Sequence, residues 1–245
     1  MTFRPVVRAA RGALSGAFFL LYGLLASPFV PVLACLSKRQ GRFVIRWFYR
    51  GFVFFAGLTG LYKVSVSCGE DGREPAASSG RVVVMNHVSL IDICVLLANL
   101  GDSVCIAKAA TKRNPFLGMV VRRLFIANDA GGPAELAEAS EYLAKGVNVV
   151  VFPQGTRGGT EFRRGAARLA LRARVPVEAW RIDYDPVVLA KGQPWWDVGA
   201  RTVRITLRRV GTIPPDGPDT RPGAVALTKR IRIAIAPIAE RRDLI

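Results

Sequence analysis

Histidine is almost missing from this chain: His87 stands alone among 245 residues. The four cysteines, at positions 35, 68, 94 and 105, show no metal-ligand spacing. With a single imidazole they leave no donor set for a zinc site, so no metal and no resident cofactor are expected. Cys94 and Cys105 lie in apolar runs and read as core residues of a reduced, intracellular protein. Acidic residues are scarce too, 18 against 35 basic ones, and none occurs in residues 1–69. The glycine-rich loop Phe152–Thr160 has neither the Gly-Lys-Ser of a P-loop nor a dinucleotide fingerprint. No internal repeat is present. Any imidazole acid–base chemistry near neutral pH has one candidate, His87.

What is present begins with charge. A net charge of +17 points to anionic partners: nucleic acid, anionic lipid or phosphorylated substrates. A basic nucleic-acid-binding protein has no need of the apolar amino-terminal segment found here, and no such binding motif is recognised, so no nucleic acid is expected as partner. The run Ala17–Leu36 is almost wholly apolar and long enough to span a bilayer, although Pro28 and Pro31 interrupt it. From Phe43 to Tyr62, Arg42, Arg46 and Arg50 recur every four residues among Phe43, Trp47, Phe48, Phe52, Phe54 and Phe55. That pattern describes a helix in a membrane interface, arginines toward headgroups and aromatics toward acyl chains. The expected organisation is a membrane-anchoring helical segment at residues 1–65 and an α/β domain at residues 66–245.

Past a polar loop at residues 68–80, buried strands alternate with helices. Val82–Met85, Ser103–Ala107, Val147–Phe152 and Val175–Ala179 read as strands, and Pro133–Lys145 and Arg163–Arg174 as helices. Thr202–Val210 alternates apolar and polar residues, the pattern of a strand with one wet face at a sheet edge. The fold class is α/β: a mixed, mostly parallel sheet flanked by helices, with an amino-terminal membrane-associated helical hairpin.

The chemistry gathers at Val82-Val-Val-Met-Asn-His-Val-Ser-Leu-Ile-Asp92. Asn86 and His87 follow a buried strand directly, at the end where ligands bind in open α/β sheets. Asp92 stands where its carboxylate can reach back from the first turn of a helix starting near Ser89 and hold one ring nitrogen, leaving the other to accept a proton. The same Ser89 to Asp92 spacing also fits a plain helix-capping arrangement. In the second loop, Gln154 and Gly155 are joined by Thr156, a hydroxyl donor, and Arg157, a forked cation suited to phosphate.

Four blocks in order resemble the glycerolipid (lysophospholipid) acyltransferase family. Asn86-His-Val-Ser-Leu-Ile-Asp92 resembles its NHXXXXD motif. Ala107-Lys108 with Asn114–Gly118 and Leu124–Ile126 resembles the second motif, Phe152-Pro-Gln-Gly-Thr-Arg157 the third (FPEGTR), and Val175-Pro-Val177 the fourth. The resemblance implies transfer of an acyl chain from acyl-CoA or acyl-carrier protein to the hydroxyl of a lysolipid, with lysophosphatidic acid the default acceptor. His87 would be the general base, Asp92 its orienter, and no covalent acyl-enzyme would form. Oxyanion donors would come from the backbone near Val88–Leu90 or from Gly155–Thr156. Asn86, Ser89, Lys108, Gln154, Gly155, Thr156 and Arg157 would line the substrate, at the cytoplasmic face of the inner or plasma membrane, with membrane lipids as partners.

Three positions depart from the pattern: Gln154 replaces an acid, Ala127-Asn128 an acid–arginine pair, and Ala179 a proline. They leave a non-phosphate lysolipid or glycolipid open as acceptor. From another class, an inactive membrane scaffold or a basic nucleic-acid-binding protein remains the alternative.

Overall fold

A computed structural model describes residues 3–28, 32, 35–67, 80–108, 125–128, 132–194 and 196–236. Its elements in chain order are α1 (Phe3–Ala26), α2 (Lys38–Leu58), β1 (Tyr62–Ser67), β2 (Val82–Met85), α3 (Asp92–Asn99), β3 (Ser103–Lys108) and β4 (Ile126–Asn128). There follow α4 (Pro133–Ala144), β5 (Asn148–Val151), α5 (Gly165–Ala173), β6 (Val177–Asp185), β7 (Val203–Ile213) and α6 (Arg221–Ile235). Seven strands form one sheet in the order β1-β7-β6-β2-β5-β3-β4. The pairs β6/β2, β2/β5, β5/β3 and β3/β4 are parallel, as expected for strands linked by helical crossovers. The fold is α/β with a mostly parallel sheet.

The chain forms two compact units. One comprises Met1–Ser67, Val88–Asn99 and Ile182–Leu207, the other Cys68–His87, Leu100–Arg181 and Arg208–Ile245. The chain passes from one to the other five times, once at the His87–Val88 peptide bond.

In the first unit, α1 stops at Ala26, ahead of Pro28, so the apolar run Ala17–Leu36 is not one helix. Among the described residues, the stretch long and apolar enough to cross a membrane is Pro5–Ala26. α2 starts in a complete capping box: the Ser37 hydroxyl accepts from the Gln40 backbone, and Gln40 Oε1 accepts from the Ser37 N–H at 3.0 Å. The two helices pair through aromatic rings. Phe18 lies 5.3 Å from Phe52, Tyr22 4.6 Å from Phe48, and the Tyr22 hydroxyl donates to the Phe48 carbonyl at 2.5 Å. The order of these pairs, 18 with 52 and 22 with 48, is that of a helical hairpin. α2 also packs on α3, where Arg50 Nε donates to the Ala98 carbonyl at 3.0 Å. Leu20, Leu21, Leu24 and Leu25 of α1 and Phe43, Trp47, Phe54 and Leu58 of α2 remain exposed, an apolar surface that water does not favour.

The core of the second unit is built on β2, a central strand in which all four residues are buried. Val82, Val84, Val149, Val177 and Ala179 from the strands meet Leu136, Leu143, Leu169, Leu227 and Ile231 from α4, α5 and α6. Burial of such a side chain contributes roughly 1.5–3 kcal/mol.

β7 corrects one expectation. It alternates as its sequence requires, with Val203, Ile205 and Leu207 buried and Arg204 and Arg208 exposed, but it is not an edge strand. The edge is β1, whose only buried residue is Tyr62.

Candidate active site

β2 and β5 run parallel with Val84 opposite Val151, so their carboxyl ends emerge together. Asn86 and His87 leave one strand beside Phe152 and Gln154, which leave the other. Asn86 is buried and His87 half-buried. The His87 ring stacks on Phe152, with centroids 4.4 Å apart and planes at 28°.

Both backbone groups of His87 are held by the loop after β5. Its N–H donates to Gln154 Oε1 at 2.6 Å, and its carbonyl accepts from the Gly158 N–H at 2.8 Å. The same Gln154 amide closes the loop on itself, Nε2 donating to the Gly159 carbonyl at 2.5 Å. This tight return needs left-handed backbone at Gly155 (φ +66) and Gly158 (φ +67), which glycine adopts without strain. A β-carbon at Gly155 would also lie 3.1 Å from Arg163 Nε, a tight contact that the arginine side chain must shift to relieve.

Asp92 belongs to the other unit and is fully buried. Its Oδ2 accepts from the backbone N–H groups of Val88 (2.6 Å) and Ser89 (2.9 Å), and its Oδ1 accepts from the Tyr184 hydroxyl at 2.6 Å. Three donors offset the removal of this carboxylate from water. Helix α3 begins at Asp92 rather than near Ser89, so the Asp92 carboxylate holds the N–H groups of the turn that leads into the helix. Asp92 thus shapes the 88–92 turn, whatever else it does. Burial pushes the Tyr184 hydroxyl pKa well above its usual value, with the Asp92 charge adding to the shift. Burial first and Asp92 second likewise raise the Cys94 thiol to about 12, which keeps it protonated.

The expected oxyanion donors are narrowed by this arrangement. The N–H groups of Val88 and Ser89 serve Asp92, that of Leu90 donates to the Leu189 carbonyl, and that of Gly155 to the Phe152 carbonyl. Among the described residues the half-buried Thr156 keeps both its N–H and its hydroxyl uncommitted. Arg157 is half-buried beside it. Lys108 ends β3 in register with Asn128 of β4, and both follow the parallel direction of β2 and β5 to the same end of the sheet as His87. Their side chains, together with Asn114–Gly118 and Leu124, lie outside the described residues.

Two of these contacts have no motif to reveal them. Tyr184 lies 92 residues from its partner Asp92, and the stacking role of Phe152 depends on the register of β2 against β5.

Comparison with known proteins now bears on the same stretch. The family model described as Acyltransferase matches residues 46–182, more than half of the chain and the whole of His87–Asp92 and Phe152–Arg157. The chain belongs to the Acyltransferase family. A curated relative, the 1-acyl-sn-glycerol-3-phosphate acyltransferase of Helicobacter pylori, is 31% identical in an alignment of 146 positions that covers 55% of this chain and 56% of that protein. The chain therefore matches a little over half the length of this relative. The crystal structure of the 1-acyl-sn-glycerophosphate (LPA) acyltransferase PlsC from Thermotoga maritima shares the fold of this acyltransferase-family chain. The TM-score is 0.72 at 23% identity, covering 97% of this chain and 96% of that one.

Proposed function

We propose that this chain is a membrane-bound O-acyltransferase that moves a fatty acyl group from an acyl-CoA or acyl-carrier-protein thioester to the hydroxyl of a lysolipid. The observation that carries the reading is the fixing of His87: the one imidazole of the chain stands at the carboxyl end of the central strand, ring stacked and both backbone groups bonded. A general base must be held within reach of the proton it takes, and such positioning contributes about 10²–10⁴-fold. Asp92, five residues on and itself held by three donors, orients the imidazole.

The reaction follows directly. A ring nitrogen of His87 accepts the acceptor's hydroxyl proton as the oxygen attacks the thioester carbonyl. The tetrahedral oxyanion is met by the N–H and hydroxyl of Thr156. On collapse the C–S bond breaks, the ester forms, and the imidazolium returns its proton to the departing thiolate. The enzyme carries no acyl group at any stage. Arg157 and Lys108 supply cations for an anionic headgroup, and lysophosphatidic acid is the default acceptor.

Gln154 bonds to His87 and Gly159, so its replacement of the family's acid acts on the catalytic loop. A wider acceptor range, extending to non-phosphate lysolipids or glycolipids, then rests on Asn128 alone. The exposed apolar faces of α1 and α2 support attachment to a membrane. The cytoplasmic face is proposed with it, as the side that holds acyl-CoA and acyl-carrier protein.

The test is incubation of the pure protein with palmitoyl-CoA or palmitoyl-acyl-carrier protein and a lysolipid panel, read by mass spectrometry. A diacyl product is expected; its absence from every combination refutes the reading.

A further inference from the structure

The exposed side of α5 is built of arginine. Arg164, Arg168 and Arg172 recur every four residues and are all exposed, while Ala166, Ala167, Leu169, Ala170 and Leu171 face the core. Arg163 precedes them, Arg174 follows, and no acid occurs between Phe162 and Val177. Arg172, in the last turn, suits the helix dipole, but the rest of the row does not. Like charges four residues apart repel, and Arg163 and Arg164 sit at the positive end of the helix dipole. Arg174 takes the left-handed C-cap conformation (φ 52, ψ 39) that glycine fills without strain. Among the described residues none of these five arginines makes an ion pair. The row also begins at the active-site loop, because the Arg163 side chain lies over Gly155.

Shape selects the partner. Arg164 to Arg172 cover about 12 Å along a convex helix surface. Small-molecule sites are concave, so the row does not suit a nucleotide alone. A helix lying on a bilayer sets large apolar groups beside its basic ones, as α2 does with Phe43, Trp47 and Phe54. α5 exposes no large hydrophobic side chain. What remains is the acidic face of a protein.

We propose that Arg164, Arg168 and Arg172, flanked by Arg163 and Arg174, form the docking surface for an acidic carrier protein that delivers the acyl thioester to the His87 loop. This rests on the acyl-transfer reading above and goes beyond it by choosing a donor. Docking by opposed charge acts mainly on the association rate, so it is salt-sensitive and appears in kcat/KM.

The test compares the full-length wild type with Arg168→Glu/Arg172→Glu and Arg168→Lys/Arg172→Lys. Palmitoyl-acyl-carrier protein and palmitoyl-CoA serve as alternative donors to one lysolipid, and carrier binding is measured directly at low and physiological salt. Charge reversal is expected to lower kcat/KM for the carrier about 10–100-fold and to remove its salt dependence. The lysine pair is expected to retain both, and kcat/KM with palmitoyl-CoA to stay within about twofold, since docking charge acts on the carrier alone. Equal losses with both donors, no loss with either, a wild type that neither binds nor uses the carrier, or a parallel loss of binding to phosphatidylglycerol vesicles would overturn the proposal. If the wild type turns over neither thioester, the acyl-transfer reading has failed. Carrier binding then decides the docking surface alone, and binding unchanged by charge reversal refutes it.

Discussion

Replacing Gln154 by glutamate restores the acid of the FPEGTR pattern, yet the geometry says it will harm this chain. Gln154 Oε1 accepts the His87 N–H at 2.6 Å, and a carboxylate can do the same. Nε2, however, donates to the Gly159 carbonyl at 2.5 Å, and there a carboxylate places oxygen against oxygen. The hydrogen bond is lost, and the half-buried carbonyl is either left unpaired or displaced, at about 1–3 kcal/mol. Through the Gly158 to His87 bond, the displaced loop shifts the base itself. Expressed in the barrier, that range is roughly 5- to 150-fold in rate. Gln154→Glu is therefore expected to lower kcat by about tenfold with little change in KM for either substrate, because the loss lies in placing the base. Gln154→Met, which removes both bonds without adding charge, should fall at least as far. The assay is steady-state acyl transfer with a matched thermal melt to count folded protein. A Gln154→Glu enzyme as fast as wild type, with the same Tm, would refute the clasp.

Asp92→Asn keeps an acceptor oxygen for part of the 88–92 turn but removes the carboxylate proposed to orient His87, and should lower kcat about 10²–10⁴-fold in the same assay. Tyr184→Phe deprives the buried Asp92 Oδ1 of its donor and should cost about 1.5–3 kcal/mol in denaturant unfolding at neutral pH. The Tyr184 pKa is raised above 10.0 in the fold, so native protein holds that proton more tightly than unfolded protein does. The contribution of Tyr184 to stability is then complete below pH 10.0 and is lost as pH rises toward the folded value, and Tyr184→Phe should lack that part of the alkaline loss. Trp47→Glu/Phe54→Glu changes side chains that are 55% and 62% exposed, so it should release protein into the soluble fraction in flotation assays without lowering Tm.

The central strand was legible because four consecutive apolar residues without a polar partner can only be buried on both faces, as Val82–Met85 are. α5 and β7 were legible from their periods, since buried and exposed positions alternate as the sequence does. β1 was not: Tyr62-Lys-Val-Ser-Val-Ser has the period of a strand, but it directly follows an aromatic helix and buries only its first residue. The site divided in the same way. His87 and Asp92 stand in a short fixed spacing, whereas Tyr184 reaches Asp92 only because β6 extends to Asp185, beyond the apolar stretch that marks its start. At Gln154 the family pattern supplied the position, but not that the amide would be used from both ends.

The most direct measurement is acyl transfer by His87→Ala beside wild type, each purified, confirmed folded by thermal melt, and given the same thioester and lysolipid. No other histidine exists in the chain to take over as base. The account predicts diacyl product from wild type and none above background from His87→Ala. Turnover by His87→Ala within tenfold of wild type, less than a positioned general base contributes, would contradict it.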